Sequence, residues 1–459
     1  MPKKPEERAK KQPQLLRGMR DILPEDQPYW NFIRTRVASV ASAYSFGRID
    51  CPILEEASLF IRSVGKDTDI VEKEMYTFEE KSGTPVTMRP EGTASICRAY
   101  IEHGMLNRPQ PVKLYYVGPF FRYDRPQAGR YRQFYQFGFE ALGDDHAVLD
   151  AQIMMLAYNL YAEAGIPVSL QVNSIGHPEC RDGYRKALVD YYRTRKNALC
   201  EECKRRLLKN PLRLLDCKEP DCQVLAQDAP QTVDYLCEDC NKHFVTVLEH
   251  LDELDISYVL NTRLVRGLDY YSGTVFELWP ETSEAGENQV KASSQSALGG
   301  GGRYDYLIES LGGQPTPAIG FSGGIERMIV ELKRRQSDIG KGPLPDIFVA
   351  QLGDAARKKS LKLFEDLRRS SFKVAESFSK DGLKPQMEMA HKLGAKFALI
   401  LGQKEIMDDT ILIRDMESGI QETVHYAKAS EEIKRRLEKY MVVHRDRVQE
   451  QEQTKEHNG

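Results

Sequence analysis

Residues 121–140 read FRYDRPQAGRYRQFYQFGFE. Aromatic and apolar residues alternate on both sides of a polar stretch containing Pro126 and Gly129, which predicts a strand, a loop and a returning strand. On the returning strand a period of two puts Arg132, Phe134, Gln136, Gly138 and Glu140 on one face. Gln136 and Glu140 therefore project together from a surface that Gly138 flattens. Arg122, Arg125, Arg130 and Arg132 crowd the loop and its shoulders, and such a density of guanidinium forks suits phosphate groups. A solvated basic hairpin would show the same arginine spacing, so the rest of the chain has to decide.

The chain has 459 residues, 41% of them hydrophobic, enough for two or three domains with real cores. Its net charge is −3 with 29% charged residues, so any nucleic-acid contact must come from local patches and not from a globally basic field. No apolar run approaches the roughly 18 residues of a membrane span. The opening MPKKPEERAKKQPQ carries no hydrophobic segment of the kind a secretory signal needs. A cytoplasmic location is expected, with residues 1–14 as a disordered basic tail.

Outward from the hairpin, Trp30, Ile33, Val37, Val40, Ala41 and Tyr44 keep helical spacing, predicting a helix over 25–44 after the segment LLRGMRDILP. FGRIDCPILEE, residues 46–56, reads as a strand. Arg89-Pro90-Glu91-Gly92-Thr93 follows a strand and opens a helix. Pro90 and Gly92 break regular structure where Glu91 and Thr93 emerge, a carboxylate and a hydroxyl that suit an ammonium group. For Thr93 alone, helix capping explains the residue nearly as well. A helix is expected over 144–165 and a strand over 168–172. LVRGLDYYSGTVFELW, residues 264–279, returns to strand character. There Arg266 offers a fixed cation, and Tyr270 and Tyr271 offer hydroxyls in apolar surroundings. Leu298-Gly-Gly-Gly-Gly-Arg-Tyr-Asp305 and AIGFSGGIERMIVEL, residues 318–332, remove side chains where a nucleotide could lie flat. Arg327 stands early in the following helix, able to stack on a purine. No GxxxxGK[ST] or GxGxxG occurs, so neither a P-loop nor a Rossmann cradle is indicated.

Together these segments resemble the histidyl-tRNA synthetases of class II, over about Leu15–Tyr440 and in the family's order. FRxxRPQxGRYRQFxQ is similar to motif 2, RGMRDxLP with its helix and strand to motif 1, LVRGLDYYxGTVFE to the histidine-specific peptide, and the glycine-rich pair to motif 3. The resemblance implies an α+β catalytic domain on an antiparallel sheet (residues 15–176 and 253–333), a helical insertion (177–252) and a linker (334–345). It further implies a C-terminal α/β anticodon-binding domain (346–440), before a charged tail (441–459). It implies ATP-dependent joining of histidine to histidine tRNA through histidyl-adenylate, by a homodimer with Mg²⁺ accompanying the nucleotide. Arg122 and Arg266 would be catalytic, and Arg122, Arg130 and Arg327 would hold ATP. Glu91, Gly92, Thr93, Gln136, Glu140, Tyr270 and Tyr271 would hold histidine, with Glu140 and Tyr271 reading the imidazole. Gln127 would touch the tRNA. A histidine-binding regulatory paralogue of ATP phosphoribosyltransferase is the alternative, and it would be expected to lack the C-terminal domain and some of the arginines.

Two features lie outside that resemblance. Six of the nine cysteines fall as Cys200-x2-Cys203, Cys217-x4-Cys222 and Cys237-x2-Cys240. In a reduced compartment two CxxC knuckles could meet around a structural zinc, leaving the third pair over, with His243 the only histidine in view. Within the same module, Arg193, Arg195, Lys196, Lys204, Arg205, Arg206, Lys209 and Arg213 face only Glu201 and Glu202 nearby. That row could track a phosphate backbone or be a solvated face. Residues 281–297 are read as a polar loop.

Overall fold

A computed structural model describes residues 12–126, 129–281, 297–337, 339 and 344–440. The chain divides into two compact units, 1–339 and 340–459.

The first unit is built on an eight-stranded sheet. In spatial order its strands are Gly47–Arg48, Val112–Phe121, Gln133–Leu142, Ala318–Gly324, Gly299–Arg303, Thr274–Pro280, Val168–Ser174 and Tyr258–Leu260. The two edge pairings are parallel, and every pairing between them is antiparallel. The hairpin pairs Phe121 with Gln133 and Leu114 with Glu140. Alternation then divides its side chains as the sequence indicates. Phe137, Phe139 and Ala141 enter the main core with helices Gln27–Ala43, Ala147–Glu163 and Ile325–Arg334. The opposite face carries Gln136, Gly138 and Glu140, beside a second cluster containing Ile96, Tyr100, Tyr116, Tyr270 and Tyr304. Gly18, from the RGMRD segment, sits at φ +85° and accepts the Arg132 backbone N–H at 2.7 Å. A Cβ there would meet the Arg132 side chain at 2.8 Å, which accounts for glycine at this position.

The strand expected over 46–56 is two strands in two sheets. Gly47–Arg48 joins the large sheet, while Leu54–Glu56 joins a three-stranded sheet with Pro85–Met88 and Tyr76–Glu79. Pro52 lies between and has no N–H to continue a ladder, and the break is held by Arg89, which donates to Cys51 O at 2.7 Å.

The insertion contains helices Pro178–Arg193, Glu201–Lys209 and Pro220–Gln227, with its own small core around Tyr184, Leu188, Tyr192 and Leu207. The next helix, Glu238–Glu253, sends Phe244, Val247 and Leu251 into the main core instead. The cysteines do not pair as the sequence suggests, because the two CxxC knuckles stay apart. Cys200 and Cys203 group with Cys217 and Cys222, whereas Cys237 and Cys240 group with Cys180 and His177. His243 belongs to neither group; its Nε2 lies 3.0 Å from Asp150. The basic row is also spent differently. Arg206 pairs with Asp69, Lys209 with Glu72, Arg213 with Asp216 and Lys204 with Glu201. Two of those carboxylates come from a distant segment, so the row docks the insertion onto residues 69–72 and is largely neutralised.

The second unit is a five-stranded sheet ordered Val374–Glu376, Ile347–Gln351, Phe397–Leu401, Thr410–Asp415 and Gln421–His425. The first three strands are parallel and the rest antiparallel, as the alternation of strands and helices predicts.

Candidate active site

The site-bearing face of the hairpin floors a cavity of about 510 Å³. Arg122, Arg130, Arg266 and Arg327 line it, together with Glu91, Gly92, Thr93, Gln136, Tyr270 and Tyr271. Residues from four separated stretches of sequence therefore meet in one space.

At one end the cavity is carboxylate-rich. Glu91 is buried, and its two oxygens accept the backbone N–H groups of Thr93 and Ala94 at 2.7 and 2.8 Å, capping helix Thr93–Glu102. The cap is thus Glu91, not the Thr93 hydroxyl. That hydroxyl instead donates to Glu140 at 2.8 Å, and Tyr304 donates to the other Glu140 oxygen at 2.5 Å. Glu140 is 1% exposed and stands behind the cavity wall, while Tyr271 lines the cavity itself. Burial pushes the Glu140 carboxyl up to about 8, against the hydrogen bonds from Tyr304 and Thr93. Burial likewise raises the Tyr271 hydroxyl; Arg266 opposes that rise and Glu140 adds to it. Tyr270 stacks obliquely on Tyr271, ring centroids 4.7 Å apart. Gly92 and Gly138 close on the Tyr116 ring from two sides, and a Cβ on either would come within 2.4 Å of it.

The same cavity is strongly cationic. Arg122 donates from Nε to Pro90 O at 2.8 Å, which fixes its fork beside the Glu91 turn. Arg130 is held by Asp124 at 3.3 Å. Arg327 donates to Ala297 O at 2.5 Å, and burial together with the charges of Arg130 and Arg122 lowers its pKa below the ordinary arginine value. Cations that destabilise one another across a shared space form a preorganised anion site. Arg266 also lines the cavity, paired with Glu277, whose second oxygen accepts Trp279 Nε1 at 3.2 Å. The buried Arg266 Nε has no hydrogen-bond partner among the described residues.

Sequence reasoning did not single out Tyr304 or Tyr116. Tyr304 stands two residues after the glycine run, and that proximity was its one signal. Gln127 and residues 282–296 lie outside the described residues.

Comparison with known proteins follows the same outline. The family profile described as Histidyl-tRNA synthetase matches residues 18–328, and one described as Anticodon binding domain matches residues 346–436. A histidine–tRNA ligase of Dehalococcoides mccartyi is 50% identical over 92% of this chain and 100% of its own. That of Syntrophotalea carbinolica is 46% identical over 89% of this chain and 95% of its own. The crystal structure of apo histidyl-tRNA synthetase from S. aureus superposes with a TM-score of 0.75 at 35% identity, covering 92% of this chain and 100% of that one.

Proposed function

The chain belongs to the histidyl-tRNA synthetase family and joins histidine to tRNA, and we propose that it does so through histidyl-adenylate made in the cavity above. In the first step a histidine carboxylate oxygen attacks the α-phosphorus of ATP, the bond to the β-phosphate bridging oxygen breaks, and pyrophosphate leaves. In the second, a hydroxyl of the terminal tRNA ribose attacks the adenylate carbonyl and AMP departs.

The observation that carries this reading is that Arg122 and Arg266, brought from distant parts of the chain, line one cavity together with Thr93, whose hydroxyl donates to the buried Glu140 that Tyr304 also holds. Arg122 neutralises the charge that builds on the α-phosphate, and Arg266 clamps the attacking carboxylate against it. The unpartnered Arg266 Nε supports that role. Arg130 and Arg327 hold the outer phosphates. Glu91, Gly92, Thr93 and Gln136 form the ammonium site. Tyr270 and Tyr271 frame the imidazole, which Tyr271 and Glu140 read from its two nitrogens. A side chain lacking those nitrogens would strand buried polar groups, which rejects it strongly. Gln127 meets the tRNA acceptor end. Mg²⁺ travels with the triphosphate as part of the substrate. The enzyme is a cytoplasmic homodimer in this reading, the dimer supported by the motif 1 segment; no described helix is long and apolar enough to cross a membrane.

Histidine-dependent exchange of pyrophosphate into ATP tests the proposal. Exchange with histidine alone among the amino acids is expected, and Arg266→Ala should lower its kcat by about 10²–10³. Histidine binding without exchange would instead favour the regulatory paralogue. Against that paralogue stand the arginines lining the cavity and the matched C-terminal domain.

A further inference from the structure

We propose that this chain carries two structural zinc sites, one formed by Cys200, Cys203, Cys217 and Cys222 and the other by His177, Cys180, Cys237 and Cys240. Neither follows from the reaction, and none of the eight residues lines the catalytic cavity.

The geometry is that of two tetrahedra. Within each group the four ligand atoms all lie within 4.8 Å of one another. Cys200 Sγ is 3.8 Å from Cys217 Sγ, and Cys180 Sγ is 3.9 Å from Cys240 Sγ. The His177 Nε2 lies 3.4 Å from Cys237 Sγ and 3.9 Å from Cys180 Sγ. Zinc–sulfur bonds of about 2.3 Å in a tetrahedron give sulfur–sulfur edges of about 3.8 Å, and a nitrogen ligand shortens its own edges slightly. A disulfide would bring two sulfurs to about 2.0 Å. In the second group three sulfurs and an imidazole cannot be used up by disulfide pairing at all. One imidazole and seven thiols in four-coordinate sets match zinc among the common metals.

The local frame repeats. His177-x2-Cys180, Cys200-x2-Cys203 and Cys237-x2-Cys240 each start on a helix cap, with the backbone N–H three residues on directed back at the cap side chain. The Cys203 and Cys240 N–H groups reach the Cys200 and Cys237 sulfurs at 3.4 Å. Across each group, Cys200 N–H meets Cys222 Sγ at 3.3 Å and Cys237 N–H meets Cys180 Sγ at 3.1 Å. Two groups contend for His177 Nδ1, the Cys180 N–H at 3.2 Å and the Glu179 carboxylate at 3.3 Å. Both engage Nδ1 at the helix start, which leaves Nε2 to face the Cys180 and Cys237 sulfurs.

Position gives each site a task. Among the described residues the insertion contributes twelve buried members to its core cluster, three of them cysteines, too little apolar volume to hold several helices unaided. The four-thiolate site staples that core. Its Cys217 is flanked by Asp216 and Lys218, which line the catalytic cavity, so the staple also fixes one rim of the site. The mixed site joins the chain where it leaves strand Val168–Ser174 to the start of helix Glu238–Glu253, closing the neck of the insertion.

Elemental analysis of the full-length protein, purified from zinc-replete cells without chelator, is expected to give two zinc ions per chain in a colourless solution. Cys222→Ser and Cys240→Ser should each lower this to one. Should those variants fold poorly, cobalt exchange into the unaltered protein is the independent reading, with visible bands of tetrahedral thiolate cobalt saturating at two equivalents. Less than half an equivalent of metal in the native protein would overturn the proposal. A single equivalent would overturn the two-site assignment, and a coloured, iron-bearing protein would overturn zinc.

Discussion

The Tyr304 hydroxyl donates to the Glu140 carboxylate at 2.5 Å, tying the end of the glycine-rich strand to the returning strand of the central hairpin. Both groups are fully buried, so removing the donor leaves an acceptor that water cannot reach. Tyr304→Phe should cost on the order of 1–3 kcal/mol, read as a lowered urea midpoint. It should also raise the KM for histidine in pyrophosphate exchange, since Glu140 loses one of its two anchors. An unchanged KM would detach Glu140 from histidine recognition.

The same carboxylate makes stability depend on pH. Folded, Glu140 titrates at about 8; unfolded, a glutamate titrates at about 4.3. Between those values the folded chain keeps a proton that the unfolded chain has released. The stabilisation is therefore complete below the ordinary carboxylate range and is lost as pH rises toward 8. Urea midpoints measured at pH 6 and pH 9 should fall further in the parent than in Glu140→Gln. Parallel falls would assign the pH dependence to other groups.

Gly138 is constrained by the ring it covers. A Cβ at this position would lie 2.4 Å from Tyr116 on a rigid strand, so Gly138→Ala should destabilise by about 1–3 kcal/mol through overpacking. Combining it with Tyr116→Ala in a double-mutant cycle should show strong coupling. Additive losses would mean that the two residues do not press on each other.

Arg327 trades stability for anion binding. Its charge is disfavoured by burial and by Arg130 and Arg122, so Arg327→Met should leave the Tm of the free enzyme level or higher. Removing one charged donor should weaken ATP by roughly 10- to 100-fold. The rise in Tm on adding ATP should shrink correspondingly. A variant that melts lower yet binds ATP normally would reverse this assignment.

The hairpin face was legible because Phe137, Phe139 and Ala141 alternate with Gln136, Gly138 and Glu140, and a period of two leaves no freedom once one side is apolar. The partners of Glu140 were not, because hydrogen-bond choice depends on strand register between segments far apart in sequence. The cysteine grouping failed on similar grounds. Spacing identifies the knuckles, but which pair closes each one is set by the fold, and the x2 spacing of His177 and Cys180 was the one signal that His177 belonged with them. Two of the carboxylates that pair with the basic row, Asp69 and Glu72, were not legible because they stand well over a hundred residues upstream.

Strand Gln133–Leu142 finds its outer neighbour only in Ala318–Gly324. A ribosome must therefore release nearly the whole first unit before the sheet can close, and until then the growing polypeptide displays an open hydrogen-bonding edge. Premature termination anywhere between the two strands leaves that edge bare, a template for association with other chains. For this enzyme, incomplete synthesis is thus a solubility hazard as well as a loss of activity.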